Sequence, residues 1–291
     1  MEKTMKIISI LNKFMANKII IIILISVITL SFNSCEQTVS NIELPYVEQL
    51  VINCVLEPGK LVEKVRVERT LPPLESYYSY KALVADAKFI INDGTQDYIL
   101  QYAEGYYYSN ELIPQEGKAY TMRVEWKNKV ATARTYVPRK VEFDDYQFEI
   151  LKQTDLNKPW VEVILYFAIK PEPDAVYQGG TFSEFEKYYD FYTNPARYEE
   201  RDSDGKLKIK FGSYYYPNAE IDTNNFFNDL IAGNTFAIAS CDKFYYNYWI
   251  TQYNGDTEDG IFGGGGLNVS WNIEGDGIGL FIGRNITTKQ F

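Results

Sequence analysis

Apolar and polar positions alternate along much of this chain, and the period is two rather than the 3.6 of a helix. In "KAYTMRVEW" Tyr120, Met122, Val124 and Trp126 share one side of an expected strand, with Thr121, Arg123 and Glu125 on the other. "KNK" turns the chain and "VATARTYV" brings it back. "YVEQLVINCVLEP" and "KLVEKVRVERT" are two runs parted by Pro58-Gly59, which predicts a hairpin. "LVADAKFIINDG" and "TQDYILQYAEGYYYS" meet at Asp93-Gly94 in the same way. Short strands at this spacing over about a hundred residues predict an Ig-like β-sandwich that closes at Pro138.

Beyond Pro138 the strand pattern resumes in "KVEFDDYQFEIL" and "PWVEVILYFAIKP". "FSEFEKYYDFYTN" reads as a short amphipathic helix or a tyrosine-rich loop, and "RDSDGKLKIKFGSYYYP" as a turn feeding a strand. Phe236 to Ser240 fits a buried strand, after which Asp242 can cap a helix carrying Tyr245, Tyr248, Trp249 and Gln252 at helical spacing. "GGGG" at Gly263 and "GDGIG" at Gly275 lack the strand-to-helix setting and the lysine of a phosphate loop. They read as flexible turns or close backbone approaches. The fold class expected is therefore mainly β: an N-terminal Ig-like β-sandwich, then a second β-rich domain with one or two short helices.

One pattern breaks the alternation. Ile19 to Phe32 is nearly unbroken apolar sequence, but shorter than the ~20 residues that span a bilayer as a helix. Lys13 and Lys18 precede it, and Asn33, Ser34 and Cys35 follow, in the layout of an export signal. "SFNSC" resembles the lipobox of bacterial lipoproteins, whose cysteine thiol takes a diacylglycerol and whose freed amine is then acylated. Phe32 and Asn33 depart from its usual letters. The alternatives are an ordinary secretory signal or an uncleaved anchor, and Met15 would start a signal of more usual length. The organisation expected is a signal peptide over 1–35, a tether over 36–46, the sandwich over 47–138 and the second domain over 139–291.

Charge then narrows the partners. The chain has 29 basic and 39 acidic residues, and the four Lys and one Glu up to Cys35 leave a body of 25 against 38. Such a surface repels nucleic acid and anionic headgroups, so contact with the membrane is expected through the lipid anchor only. Its 25 Tyr and 17 Phe suit pleated faces. There is no histidine, which closes the familiar serine and cysteine triads and most catalytic zinc sites. Carboxylate chemistry stays open, but sequence cannot say which acids meet. "DSDG" at Asp202 and "NGDTEDG" at Asn254 lack the spacing of a calcium loop and read as Asx turns. No catalytic, cofactor-binding or metal residue is assigned, and no cofactor is expected. Cys54 and Cys241 leave two readings open, a long-range disulfide in an oxidising compartment or two separate buried thiols.

Several segments taken in order resemble one family, the domain of unknown function family 4249 of Bacteroidota outer-membrane lipoproteins. "SWNIEGDGIGLFIG" is similar to its closing pattern, with Asn272, Ile273, Glu274, Gly277, Gly279, Phe281 and Gly283 in matching places. "CDKFYYNYWITQYN" resembles its tyrosine-rich segment, and "VADAKFIINDG" its Ala-x-Val-x-Ile-x-Asp-Gly strand with Phe89 in place of Val. "GKAYTMRVEWKNKVATARTYVPRKVEFDDYQF" follows its strand pair and proline junction. "IFGGGGLNVS" departs from a more polar, proline-containing segment of the family. The resemblance implies a surface-facing outer-membrane lipoprotein, lipidated at Cys35, whose relatives tend to be encoded with TonB-dependent transporters. It carries over no catalytic set. The function expected is a non-enzymatic accessory that binds or lids such a transporter and helps capture its substrate, as in nutrient uptake. The alternatives are a stand-alone structural or adhesive envelope lipoprotein and, third, a carboxylate-based hydrolase.

Overall fold

Burial with a period of two starts at the first strand: Leu50, Ile52, Cys54 and Leu56 are buried and Asn53 is exposed, so Leu50–Leu56 forms β1. The computed structural model describes residues 46–143, 147–153, 160–183, 188–191, 193–217, 235–253 and 269–290. The apolar run, Cys35 and the stretches at Asn254 and Gly263 lie outside them. β2 (Arg66–Arg69) pairs antiparallel with β1, as the hairpin reading expects, with Gly59 at φ +75° in the connection. Its strand starts late, because Val62 N–H donates to Leu112 O and Val65 N–H to Tyr107 O instead.

A short helix, α1 (Ser79–Ala82), leads into β3 (Lys88–Asn92) and β4 (Asp97–Ile99), an antiparallel pair. Asp93 builds their turn. Its Oδ1 accepts from Thr95 N–H, Thr95 Oγ1–H and Gln96 N–H, and its Oδ2 from Lys118 Nζ at 2.7 Å. The Lys118 ammonium, then these turn donors, hold the carboxyl well below the usual carboxylate range. The unfolded chain therefore takes up this proton first on acidification, so the contribution is present above the ordinary aspartate pKa and lost as pH falls below it. Asp93→Ala is expected to lower stability by about 1 kcal/mol at neutral pH, the screened ion pair adding little to the turn bonds. The gap between urea melts of the two proteins should narrow steadily as pH falls below the ordinary aspartate pKa, and a gap that stays constant there would contradict this account.

β5 (Gln101–Ala103) and β6 (Tyr106–Tyr108) form a small ribbon. β7 (Lys118–Trp126) and β8 (Lys129–Val137) pair along their whole length, with Tyr120, Met122, Val124 and Trp126 buried as the alternation requires. Past Pro138 come β9 (Gln147–Gln153), β10 (Trp160–Ile169), β11 (Ala175–Ser183), β12 (Tyr188–Phe191), β13 (Ala196–Arg197), a 3-10 turn at Tyr198–Glu200 and β14 (Leu207–Pro217). β15 (Thr235–Asp242) precedes the second helix, α2 (Phe244–Tyr253), and β16 (Ile273–Gly275) and β17 (Gly277–Gln290) close the chain. Tyr188–Phe191, in the stretch expected to be a helix or a loop, is a strand. It pairs with β11, where the Phe182 and Tyr189 rings meet at 4.9 Å across the register.

The largest sheet runs β12-β11-β15-β17-β1-β2, with β13 also on β11. A second runs β16-β8-β7-β3-β4, and a third β14-β10-β9. One core gathers Leu50 to Val137 with Ile273 and Phe281, and another gathers Val141 to Ile238. The apolar residues thus divide close to Pro138, while β16 and β17 return to the first core. Tyr46–Phe291 forms one compact unit.

The "GDGIG" stretch corrects an expectation. Gly275 ends β16 and Asp276 bends the chain, but Gly277–Gly279 already begin the central strand β17, which runs parallel to β1 and, farther along, antiparallel to β15. Close backbone approach, the other reading, is what its glycines supply. A Cβ on Gly283 would lie 2.2 Å from Tyr136 O, and one on Gly277 2.8 Å from the Ala131 methyl, so β8 packs where side chains would stand. Asn272 completes the strand: its Nδ2 donates to Phe281 O and its Oδ1 accepts from Phe281 N–H. Arg284 donates to Glu57 Oε1 at 2.7 Å, tying β17 to the residue after β1.

Candidate functional site

Burying one side of β7 and β8 leaves the other side to solvent, and the strand register sorts its residues into two rows. One row runs Asp97, Asn92, Thr121, Arg134, and the next runs Ile90, Arg123, Thr132, Glu274, drawn from β4, β3, β7, β8 and β16. Short threonines in the middle and long arginines beside them make a groove of about 440 Å³. Asn92 Nδ2 donates to Asp97 Oδ1 at 2.7 Å, and Arg123 Nε to Glu125 Oε1 at 2.6 Å. The Arg123 guanidinium holds the Glu125 carboxyl below its usual range. Arg134 is exposed, and among the described residues its side chain makes no hydrogen bond or ion pair.

Arg134 also lines a second groove of about 270 Å³, with Tyr136, Asp174, Asp242 and Lys243. Lys243 Nζ pairs with Asp174 Oδ1 on its rim. Asp242 is almost wholly buried there: Oδ2 accepts from Thr135 Oγ1–H at 2.7 Å and Tyr136 N–H at 2.5 Å, and Oδ1 from Phe244 N–H at 3.0 Å. The last bond opens α2, the capping role expected of this residue. Burial pushes the carboxyl up from its ordinary value, against those three donors and Lys243. Thr135 Oγ1 in turn accepts from Gly283 N–H at 2.7 Å, so this carboxylate joins β8, β15 and β17.

These groups offer both donors and acceptors to a polar ligand or a protein surface. Among the described residues no group of three or more His, Cys, Asp or Glu is arranged to hold a metal ion. The "DSDG" stretch forms an Asx turn, with Asp202 Oδ1 accepting from Asp204 N–H and Lys206 N–H. Among the described residues no helix is long and apolar enough to cross a membrane.

Of the residues singled out from the sequence, Cys54 and Cys241 are both buried free thiols, and burial raises both, Cys241 to about 12. The bridge left open between them is not made. Cys54 stands opposite Phe281 and Cys241 opposite Arg284, on either side of β17. Two strand spacings, roughly 9.6 Å, part them, and the odd offset along β17 turns them to opposite faces. A disulfide needs Cα atoms within about 7 Å. Arg134 and Asp97 were not singled out from sequence, and Glu274 only as part of the family-like closing pattern. The polar side of β7 was legible, but rows across a sheet depend on register, which no single strand carries.

Among curated proteins none matches this chain. A match to a family described only as a domain of unknown function covers residues 37–290, nearly all of the sequence after Cys35, and the chain therefore belongs to the family of the domain of unknown function 4249.

Proposed function

We propose that this protein is a lipid-anchored outer-membrane accessory that binds or lids a TonB-dependent transporter and takes part in capturing its substrate, without catalysing a reaction. The observation that carries the reading is the open polar face of the second sheet, with the unpaired Arg134 guanidinium on it. An unpaired arginine on a groove seeks a carboxylate or a carbonyl cluster on a partner. The lipobox-like residues up to Cys35 and family membership over 37–290 support the tether and the setting. A tether raises the effective concentration of the face at a barrel in the same membrane. The first core, shared by β1, β2 and β17 with β3, β7 and β8, supports an Ig-like sandwich for the N-terminal half.

Purification from outer membranes in mild detergent tests this. The expected result is an acylated Cys35, read by mass spectrometry, with a barrel in near-equal amount. Arg123→Ala with Arg134→Ala should leave the thermal melt within about 0.5 kcal/mol of the parent, as surface changes do, and lose the barrel. An acylated protein isolated alone would favour the structural or adhesive role. Cys35→Ala is expected to fold and to leave the membrane fraction, and firm retention of that variant would refute lipidation as the anchor.

A further inference from the structure

We propose that the segment Leu71–Tyr80 is a second membrane contact, an aromatic foot that rests in the headgroup region of the bilayer holding the N-terminal anchor. Four large side chains stand out from it: Leu74 is 93 % exposed, Tyr80 73 %, Tyr77 62 % and Tyr78 49 %. Chains rarely leave such a run in water unless it meets another surface, and tyrosine, apolar in body and polar at the tip, suits the bilayer interface. Leu74 holds φ at +73°, a left-handed conformation unusual for a bulky residue, inside the turn closed by Glu75 N–H on Pro72 O. Leu74 stands away from the body there, whereas Leu71, at the start of the segment, is half-buried.

The foot is held in shape. Tyr77 Oη–H donates to Glu68 Oε1 at 2.7 Å, and the Tyr78 and Tyr80 rings lie 5.6 Å apart. Its charges are matched within the body, Glu75 with Lys81 and Glu68 with Arg66. The patch therefore carries little net charge, although the body as a whole is acidic. That combination fits a zwitterionic headgroup layer better than an anionic one.

Where the chain enters the body selects the membrane over a protein as the occupant. Tyr46 Oη–H donates to Thr70 O, Gln49 N–H donates to Thr70 Oγ1, and Glu48 pairs with Arg69. The root of the tether is thus stitched to the residue just before the foot. Residues 36–45 separate Cys35 from Tyr46, and even fully extended they reach only about 35 Å. The foot is thus rooted next to the residues at which the tether enters the body.

This inference rests on anchoring at the N-terminus, and the experiment separates the two. The full chain, in phosphatidylcholine vesicles, would carry a nitroxide at Tyr80→Cys, or at Tyr78→Cys in a second preparation, with Asp204→Cys in an exposed turn as the reference. The buried Cys54 and Cys241 thiols should stay unlabelled. The expected result is a label at 80 and 78 relaxed more by oxygen than by a water-soluble nickel chelate, with the opposite order at 204. Retention of the protein on carbonate-washed vesicles with equal, aqueous relaxation at all three sites would overturn the foot alone. Release in carbonate would remove the anchor and the foot together. Protection at 80 only when a barrel protein is added would assign the segment to that partner and overturn the membrane contact.

Discussion

Gly279→Ala is expected to lower stability by about 3 kcal/mol or more, the sum of a forbidden backbone conformation and an overpacked contact. Gly279 holds φ at +118°, where an L side chain points back into the sheet rather than away from it. A Cβ there would sit 2.0 Å from Ile52 O and 3.0 Å from Ile52 N, and both are backbone atoms that no rotamer change can move. Ile52 is the register partner of Gly279 in the parallel pairing of β1 with β17, so relief means parting these two neighbouring strands of the largest sheet. For a chain of this size the change corresponds to a fall in Tm of roughly 6–12 °C. Gly94→Ala is the control, because φ is +89° there but nothing lies within 4 Å of the added methyl. It should cost only the conformational share, about 1–2 kcal/mol. Equal losses for the two variants would show that the collision with β1 does not matter.

Asp242→Ala is expected to cost about 3–4 kcal/mol, because buried donors left without an acceptor carry their full desolvation penalty. The carboxylate accepts from Thr135 Oγ1, Tyr136 N–H and Phe244 N–H, and Thr135 is itself the acceptor for Gly283 N–H. Its loss therefore frees the start of α2, the edge of β8 and the approach of β17 at once. Asp242→Asn keeps one acceptor but aims an amide at donors, and should fall between. The acid dependence has a definite sign. Burial raises the native pKa, so over the window from the ordinary aspartate value to the raised one the folded protein holds a proton that the unfolded chain has released. This group's contribution therefore falls as pH rises through that window and is level above it. A carboxamide does not titrate, so the stability of the parent minus that of Asp242→Asn should shrink as pH rises from about 4. A difference that grows with pH would mean that the hydrogen bonds, rather than burial, control this carboxyl. The sign is opposite to that at Asp93, whose half-buried ammonium partner and turn donors favour the charged form.

Sequence alone determined the elements whose cause is local. The alternation at Tyr120, Met122, Val124 and Trp126 named a strand and its buried side, since successive side chains must face opposite ways. Asp242 was legible as a cap, because a helix start leaves N–H groups that a short carboxylate can accept. The absence of histidine and the acidic balance bounded the chemistry without any coordinates. Tertiary structure decided what depends on neighbours distant along the chain. β17 looked like a glycine-rich turn because its glycines are set by the close passage of β8 and β1, and no local pattern encodes a neighbour's backbone. Arg284 meets Glu57 across 227 positions, and Cys54 and Cys241 are kept apart by which faces of β17 they flank. The polar rows through Arg123 and Arg134 exist only once the register of five strands is fixed. Register follows from burying the apolar sides of many strands together, a condition on the whole core rather than on any stretch of sequence.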